Sequence, residues 1–224
     1  MTQLAVSGRQ DRYRRVGDRS GGHPGGTTGR VSALSPDIAP ALSPKPQREG
    51  DHVAMSIVIR EMALDEVGLI IDYFHGSTPE HLETLGVDPT RLPTRRDWRE
   101  RYVGEYNKPV KDRSTLLVIW ELDGVAVGFS TSDKIAYGEQ AHMHLHVIDP
   151  QRRGSGIGSA SVRETVELYF NALALKRLFC EPNAFNVAPN RTLQSVGFRY
   201  VKTYKTVPGH LNYHQAVTRW VFEK

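Results

Sequence analysis

Cysteine is nearly absent from this chain. The single thiol, Cys180, excludes an intramolecular disulfide and suits a reducing compartment such as the cytoplasm. It reads as a small buried hydrophobe rather than a reactive group. Long apolar runs are missing too. None approaches the ~18 residues that suggest a membrane span, and the Arg-rich N-terminus has no apolar core of a secretory signal. No internal repeat is visible. No lysine stands between Lys134 and Lys176, which excludes a Gly-x-x-x-x-Gly-Lys-[Ser/Thr] phosphate loop anywhere near the chain's glycine-rich turn. A surplus of one charge is also missing from the body of the chain. The net charge is +4, and residues 1–54, with eight Lys/Arg against five Asp/Glu, carry +3 of it. A nucleic-acid partner would need a basic patch on the folded part, and none is evident, so neither a nucleic acid nor a membrane is expected as partner.

What is present divides in two. Residues 1–54 are rich in Gly, Pro, Ser and Arg without apolar periodicity. Such a segment cannot bury enough surface to offset its ordering entropy, which predicts a disordered tail. Met55-Ser56 stands directly before the first strand-like run, so Met55 is the expected natural start. Residues 55–224 read as one domain.

Along that domain, 57–60 reads as a strand and 65–74 as a helix, with Val67, Ile70, Ile71 and Phe74 at helical spacing. From 75 to 111 four prolines break the pattern, leaving one helix at 97–106. Strands at 116–122 and 125–130 flank Asp123-Gly124, a type I′ hairpin signal. A strand at 140–148 precedes a glycine-rich loop and a helix over 159–173. A short strand at 178–181, a helix at 189–196 closed by Gly197, and a strand pair, 198–207 and 216–222, complete the chain.

The loop is Gln151-Arg152-Arg153-Gly154-Ser155-Gly156-Ile157-Gly158. A strand ending in a basic, glycine-rich turn that opens a helix is a phosphate-binding device. Glycine lets the backbone approach an anion, and the N–H groups of the first helical turn point at it with the dipole behind them. A dinucleotide fingerprint would need a third glycine where Ser159 stands. The spacing Gln151-x-x-Gly154-x-Gly156 instead resembles the Q/R-x-x-G-x-G/A signature of the GNAT superfamily of acyl-CoA-dependent N-acetyltransferases. Asn186, followed by Gly197-Phe198, is similar to the N-x(10)-G-F of that family's second cofactor segment. The resemblance spans about residues 56–224 and is nearest to the ribosomal-protein-type branch.

The resemblance implies an α/β fold: a mixed, mostly antiparallel central sheet with helices on both faces, splayed at the strand before the loop. Acetyl-CoA, as co-substrate, would lie in the split. Gln151 to Gly158 with Ser159 would hold its pyrophosphate. The backbone of His146, Val147 and Ile148 would face the thioester, and Asn186, with Asn190 a turn on, would meet the CoA arm. Dimers are common in such a family, so a homodimer is possible. Many members carry a Tyr seven residues after this Asn to protonate the leaving thiolate. Here that position is Leu193, which leaves Tyr200, Tyr204 or solvent for the task.

The unusual side chains of the 140–148 strand are His142, His144 and His146. They alternate with Met143, Leu145 and Val147 and so share one face. Imidazole is the natural base near neutral pH, and His142 and His144 are the candidate catalytic pair, as base or water relay, with His146 lining the site. A structural, hydrogen-bonded role on a half-exposed face is the alternative. A metal site is not expected, since positions i and i+4 of a strand lie ~13 Å apart. The expected function is acetyl transfer to a small-molecule or peptide amine by direct attack. The alternative is a non-catalytic acyl-CoA-binding regulatory module. For the acceptor, Asp72, Glu80, Glu83 and Asp88 with Trp98, Tyr102 and Tyr106 suit a cationic amine. Arg91, Arg95, Arg96, Arg99 and Arg101 suit an anionic one.

Overall fold

The computed structural model describes residues 57–224. The predicted disordered tail and the candidate start at Met55 lie outside the described residues. Strands β1 (Ile57–Glu61), β2 (Leu117–Leu122), β3 (Val125–Ala136), β4 (Gln140–Val147), β5 (Arg177–Cys180), β6 (Arg199–Thr206) and β7 (Gln215–Glu223) form one sheet. Its order is β1-β2-β3-β4-β5-β7-β6. Every neighbouring pair is antiparallel except β4 and β5. Helices α1 (Gly68–His75), α2 (Pro79–Leu85) and α3 (Arg95–Tyr106) fall between β1 and β2, α4 (Ile157–Leu173) between β4 and β5, and α5 (Val187–Val196) between β5 and β6. This is the mixed, mostly antiparallel sheet with helices on both faces that the family resemblance implies. Among the described residues no helix is long and apolar enough to cross a membrane.

Alternation along each strand sends its side chains to two cores. Val118 and Trp120 of β2 meet Val162, Val166, Tyr169 and Leu173 of α4 on one face. Leu117 and Ile119 of the same strand meet Ile70, Phe74 and Trp98 of α1 and α3 on the other. The polar atoms of Trp120 and Tyr169 are paired within the first core. Trp120 Nε1–H donates to Thr165 Oγ1 at 2.8 Å, and the Tyr169 hydroxyl donates to Ser130 Oγ at 3.0 Å.

Two elements depart from the sequence reading. Helix α2 was not expected, because Pro79 looks like a breaker. It occupies the first turn, where its missing N–H costs nothing. Thr78 caps the helix by accepting from His81 N–H, and Gly86 closes it at φ 72°. Strand β3 runs to Ala136 rather than ending near residue 130, because its far end pairs with β4 through Asp133↔His142. That extension carries Asp133 into the sheet beside the histidines.

Two glycines test this packing with opposite signs. A Cβ on Gly128 would meet Trp120 Cε3 at 2.3 Å and the His146 carbonyl oxygen at 2.7 Å, so Gly128→Ala should lower stability by about 2–4 kcal/mol. Gly104 lies within α3 with nothing within 4 Å of an added Cβ, so Gly104→Ala should raise stability by about 0.5–1 kcal/mol. Urea midpoints of the two variants check both signs.

Candidate active site

The parallel pairing of β4 with β5 runs only from Gln140↔Arg177 to Met143↔Cys180. Beyond it, the second half of β4 has no strand partner on that side among the described residues, and a cavity of about 520 Å³ occupies the opening. Ile148 N–H donates to Val127 O at 3.0 Å. Donors alternate sides along an antiparallel strand, so the His146 N–H also faces β3 and the Leu145 and Val147 N–H groups face the split. Of the backbone stretch 146–148 singled out from sequence, Val147 is thus the residue that presents a free donor to the opening.

At one end of the cavity lies the glycine loop. Asp149 caps a short 3-10 turn, Pro150–Arg152, by accepting from Gln151 N–H at 2.9 Å. Gly154 and Gly156 have φ 79° and 89°, and a Cβ on either would meet nothing within 4 Å. The left-handed backbone, rather than crowding, demands glycine here and leaves open space in front of the turn. Helix α4 starts at Ile157, two residues before the predicted start, with no side-chain cap and no acidic residue in its first turn. Such a helix start with free N–H groups suits an anion. Arg152, Arg153, Gly154, Gly156, Gly158 and Ser159 line the cavity, whereas Gln151, Ser155 and Ile157 do not. Ile157 is buried in the α4 core, and the Ser155 hydroxyl donates to Arg152 O at 2.7 Å, bracing the loop. The loop therefore fits a pyrophosphate.

The two asparagines part ways. Asn186 precedes α5, lines the cavity and donates from Nδ2 to Thr84 O at 3.4 Å. Asn190 is occupied elsewhere: its Nδ2 donates to Asn186 O at 2.7 Å and Asn183 O at 3.1 Å, and its Oδ1 accepts from Trp220 Nε1–H at 2.8 Å. It ties the β5–α5 turn to β7 and is not part of the cavity wall.

The three histidines do share one face of β4, opposite the Ala141, Met143, Leu145 and Val147 side chains that pack toward α4, but their surroundings differ. His146 stacks on Phe129 at 4.7 Å and meets Tyr73 and Phe74 edge-on at 5.2 Å. Burial, with positive neighbours behind it, pushes its imidazole down to about 3, so it is neutral at ordinary pH and has an unpartnered Nδ1. His144 lines the cavity, with Nε2 3.3 Å from Asp133 Oδ1. That oxygen is shielded from solvent and makes no aligned hydrogen bond. Burial alone would push Asp133 up; the His144 ring, with Lys134 and His142, outweighs it and holds the carboxyl below its usual range. His142 lies behind the cavity wall, buried, with Nδ1 3.5 Å from Glu181 Oε2. Glu181 is itself buried and accepts from the Tyr204 hydroxyl and Arg219 Nε–H. Burial opposes its ionisation, but His142, Tyr204 and Arg219 together hold it at about 2.

Several residues of this cavity were not foreseen from sequence. Tyr73 Oη and His81 Nε2 lie 2.7 Å apart, and an Arg153 Nη is 3.4 Å from both His81 Nε2 and Val147 O. Burial and then Arg153 lower the His81 imidazole, and burial raises the Tyr73 hydroxyl to about 12. At the other end, Arg101 of α3 is 3.1 Å from His210 Nε2, and burial and then Arg101 lower the His210 imidazole. His210 lies in a β6–β7 loop strapped to the α2 end by Asp88 N–H to Leu211 O at 2.8 Å and Asn212 Nδ2 to Gly86 O at 2.9 Å. The Thr78-Pro79 cap and Gly86 were the available signals for α2 and hence for His81. Nothing local marks His210 or Asp133.

The sequence model of the Acetyltransferase (GNAT) family matches residues 79–198. No relative was found among curated protein sequences. Solved structures share the fold. A ribosomal L7/L12 alpha-N-protein acetyltransferase in complex with coenzyme A has TM-score 0.61 and 14% identity, over 76% of this chain and 96% of that one. An aminoglycoside acetyltransferase in complex with coenzyme A gives 0.57 and 19%, over 75% and 95%. A putative acetyltransferase from Salmonella typhimurium with acetyl-CoA gives 0.56 and 14%, over 75% and 93%.

Glu181 yields a stability prediction. A carboxyl held at about 2 from an ordinary 4.5 contributes fully above that ordinary value and loses its contribution as pH falls toward 2. Glu181→Gln, which strands Arg219, should cost about 2–4 kcal/mol at neutral pH. The gap from the parent should close as acid is added between those two values. Urea unfolding across that range checks it; a pH-independent gap would contradict the network.

Proposed function

This chain belongs to the GNAT acetyltransferase family, and on that premise we propose that it moves an acetyl group from acetyl-CoA to a primary amine by direct attack. The observation that carries the proposal is one continuous opening. It runs from the positive-φ glycines of the 151–158 loop, past the unpaired edge of β4, to His144 and Asp133.

Acetyl-CoA supplies an acyl group already activated as a thioester. The loop and the start of α4 bind its pyrophosphate, with Arg152 and Arg153 adding charge. The Val147 N–H, facing the split, donates to the oxygen on which negative charge develops. His144 accepts the proton of the attacking amine, and Asp133, 3.3 Å from its Nε2, orients the ring. His142, set on Glu181, supports the strand rather than touching substrate. His146, kept neutral, walls the site.

For the thiolate, Leu193 is fully buried, the Tyr204 hydroxyl is committed to Glu181, and Tyr200 is exposed. Tyr73 and Tyr102 are the tyrosines that line the cavity among the described residues. Tyr73, protonated and backed by His81, is the better placed to return a proton.

Two variants test the reading. Gly156→Asp puts a side chain and a negative charge where phosphate binds, at a φ of 89°; CoA affinity measured by calorimetry should be lost. Unchanged affinity would refute the loop assignment. His144→Ala should lower kcat by about 10²- to 10⁴-fold at near-unchanged CoA affinity, read as thiol release. Full turnover in that variant would remove His144 from the chemistry. Absence of turnover with any amine, despite CoA binding, would favour a regulatory acyl-CoA-binding module.

A further inference from the structure

The acceptor end of the cavity has a charge arrangement that the transfer reaction does not require. Three arginines line the cavity. Arg152 and Arg153 belong to the glycine loop; Arg101 stands apart, on α3. It takes part in no ion pair among the described residues, and its side-chain contact is with the His210 ring at 3.1 Å. A guanidinium beside a largely neutral imidazole, with no carboxylate to satisfy it, is a fork of donors open to a planar anion. The cavity's carboxylates are Asp133 and Glu181. Glu181 is taken up by Arg219 and Tyr204. Asp133, beside His144, is the one negative group left to act on an amine, and its Oδ1 lacks an aligned hydrogen bond.

His210 lies between the two groups electrostatically: Arg101 depresses its imidazole while Asp133 raises it. One cation without an ion-pair partner among the described residues and one carboxylate whose near partner is the His144 ring therefore line the same cavity. That complements a zwitterion. A polycationic amine would meet Arg101 repulsively, and a dianion would have a single guanidinium for its two charges.

Resting on the acetyltransferase reading, we propose that the acceptor is a free amino acid, its amine directed to His144 and Asp133 and its carboxylate held by Arg101 beside His210. The size of the opening agrees. About 520 Å³ must hold both the pantetheine arm and the acceptor, which leaves room for a small molecule. The aromatic rings of Trp98 and Tyr102 at this end would pack against an apolar side chain. A peptide N-terminal amine, whose neighbouring carboxyl is an amide, lacks the group that Arg101 would bind. The carboxylate undergoes no chemistry; the ammonium first gives up one proton to solvent, the free amine then bonds to the acetyl carbon as the C–S bond breaks, the remaining surplus N–H proton passes to His144, and the thiolate takes a proton from Tyr73, which His144 and solvent restore.

The test uses the full chain with acetyl-CoA and matched trios: leucine, leucinamide and 3-methylbutylamine, with the equivalent sets for phenylalanine and methionine. Thiol release is expected for at least one amino acid, with its amide and its decarboxylated amine at least about tenfold poorer in kcat/KM. Arg101→Gln should raise KM for that amino acid about 10- to 100-fold at similar kcat, and leave the amide unchanged. Arg101→Lys should recover part of the loss.

Equal or better turnover of the amides, or of a leucyl dipeptide, would overturn the proposal while leaving the acetyltransferase reading intact. A second readout, ligand-observed NMR of the same trios with protein and desulfo-CoA, separates the two ideas. Arg101-dependent binding of an amino acid without transfer would uphold the carboxylate site and sink the transferase reading. Failure of every amino acid to bind or react would overturn the proposal.

Discussion

Everything at this site depends on where one strand pair stops. β4 and β5 are the sheet's parallel neighbours, and their ladder ends at Met143 and Cys180. Up to that point the backbone donors of β4 are consumed on both sides. After it, the donors that face away from β3 have no strand to meet, and an unpaired strand edge inside a protein requires a partner from elsewhere. In the proposed complex the thioester arm of acetyl-CoA, lying along the edge, would supply one. The glycine loop follows directly from the end of β4, so the proposed phosphate site is placed by the same interruption.

The opening is held by groups on both of its banks. On the β5 side, Glu181, immediately beyond the last paired residue, anchors Arg219 and Tyr204 and faces His142. A buried carboxylate with this many partners resists movement, because separating any one leaves charge unpaired in a poorly solvated place. On the β4 side, the aromatic rings of Phe129, Phe74 and Tyr73 pack around His146. The strand that bears the candidate base is thus fixed by packing, and the base itself faces the space. The strap between β6 and β7 closes the far end of the cavity and brings His210 to Arg101, residues 109 positions apart.

Much of this was legible in the residues. The loop's glycines, the Asp123-Gly124 hairpin and Gly197 as a helix terminator are local requirements of backbone dihedrals, and local spacing reports them. The common face of His142, His144 and His146 follows from the two-residue period of a strand. The reading failed where a residue has two local meanings. Pro79 as a breaker hid α2, and with it His81. The end of β3 is decided by its partner strand rather than by its own residues, so nothing local places Asp133 in the sheet. Asn190 looked like a second cofactor contact, yet Trp220, from the last strand, claims its oxygen.

The sequence by itself determined most of the elements, the glycine-rich turn before α4 and the family, because each rests on contacts within a few residues or on fixed spacings. The tertiary structure alone decided that His144 and His146 line the cavity while His142 is set on a buried glutamate. It alone brought Arg101, Asp133, His144 and His210 to one cavity. Those assignments depend on distances between segments far apart in the chain, and periodicity along a single segment carries no information about them.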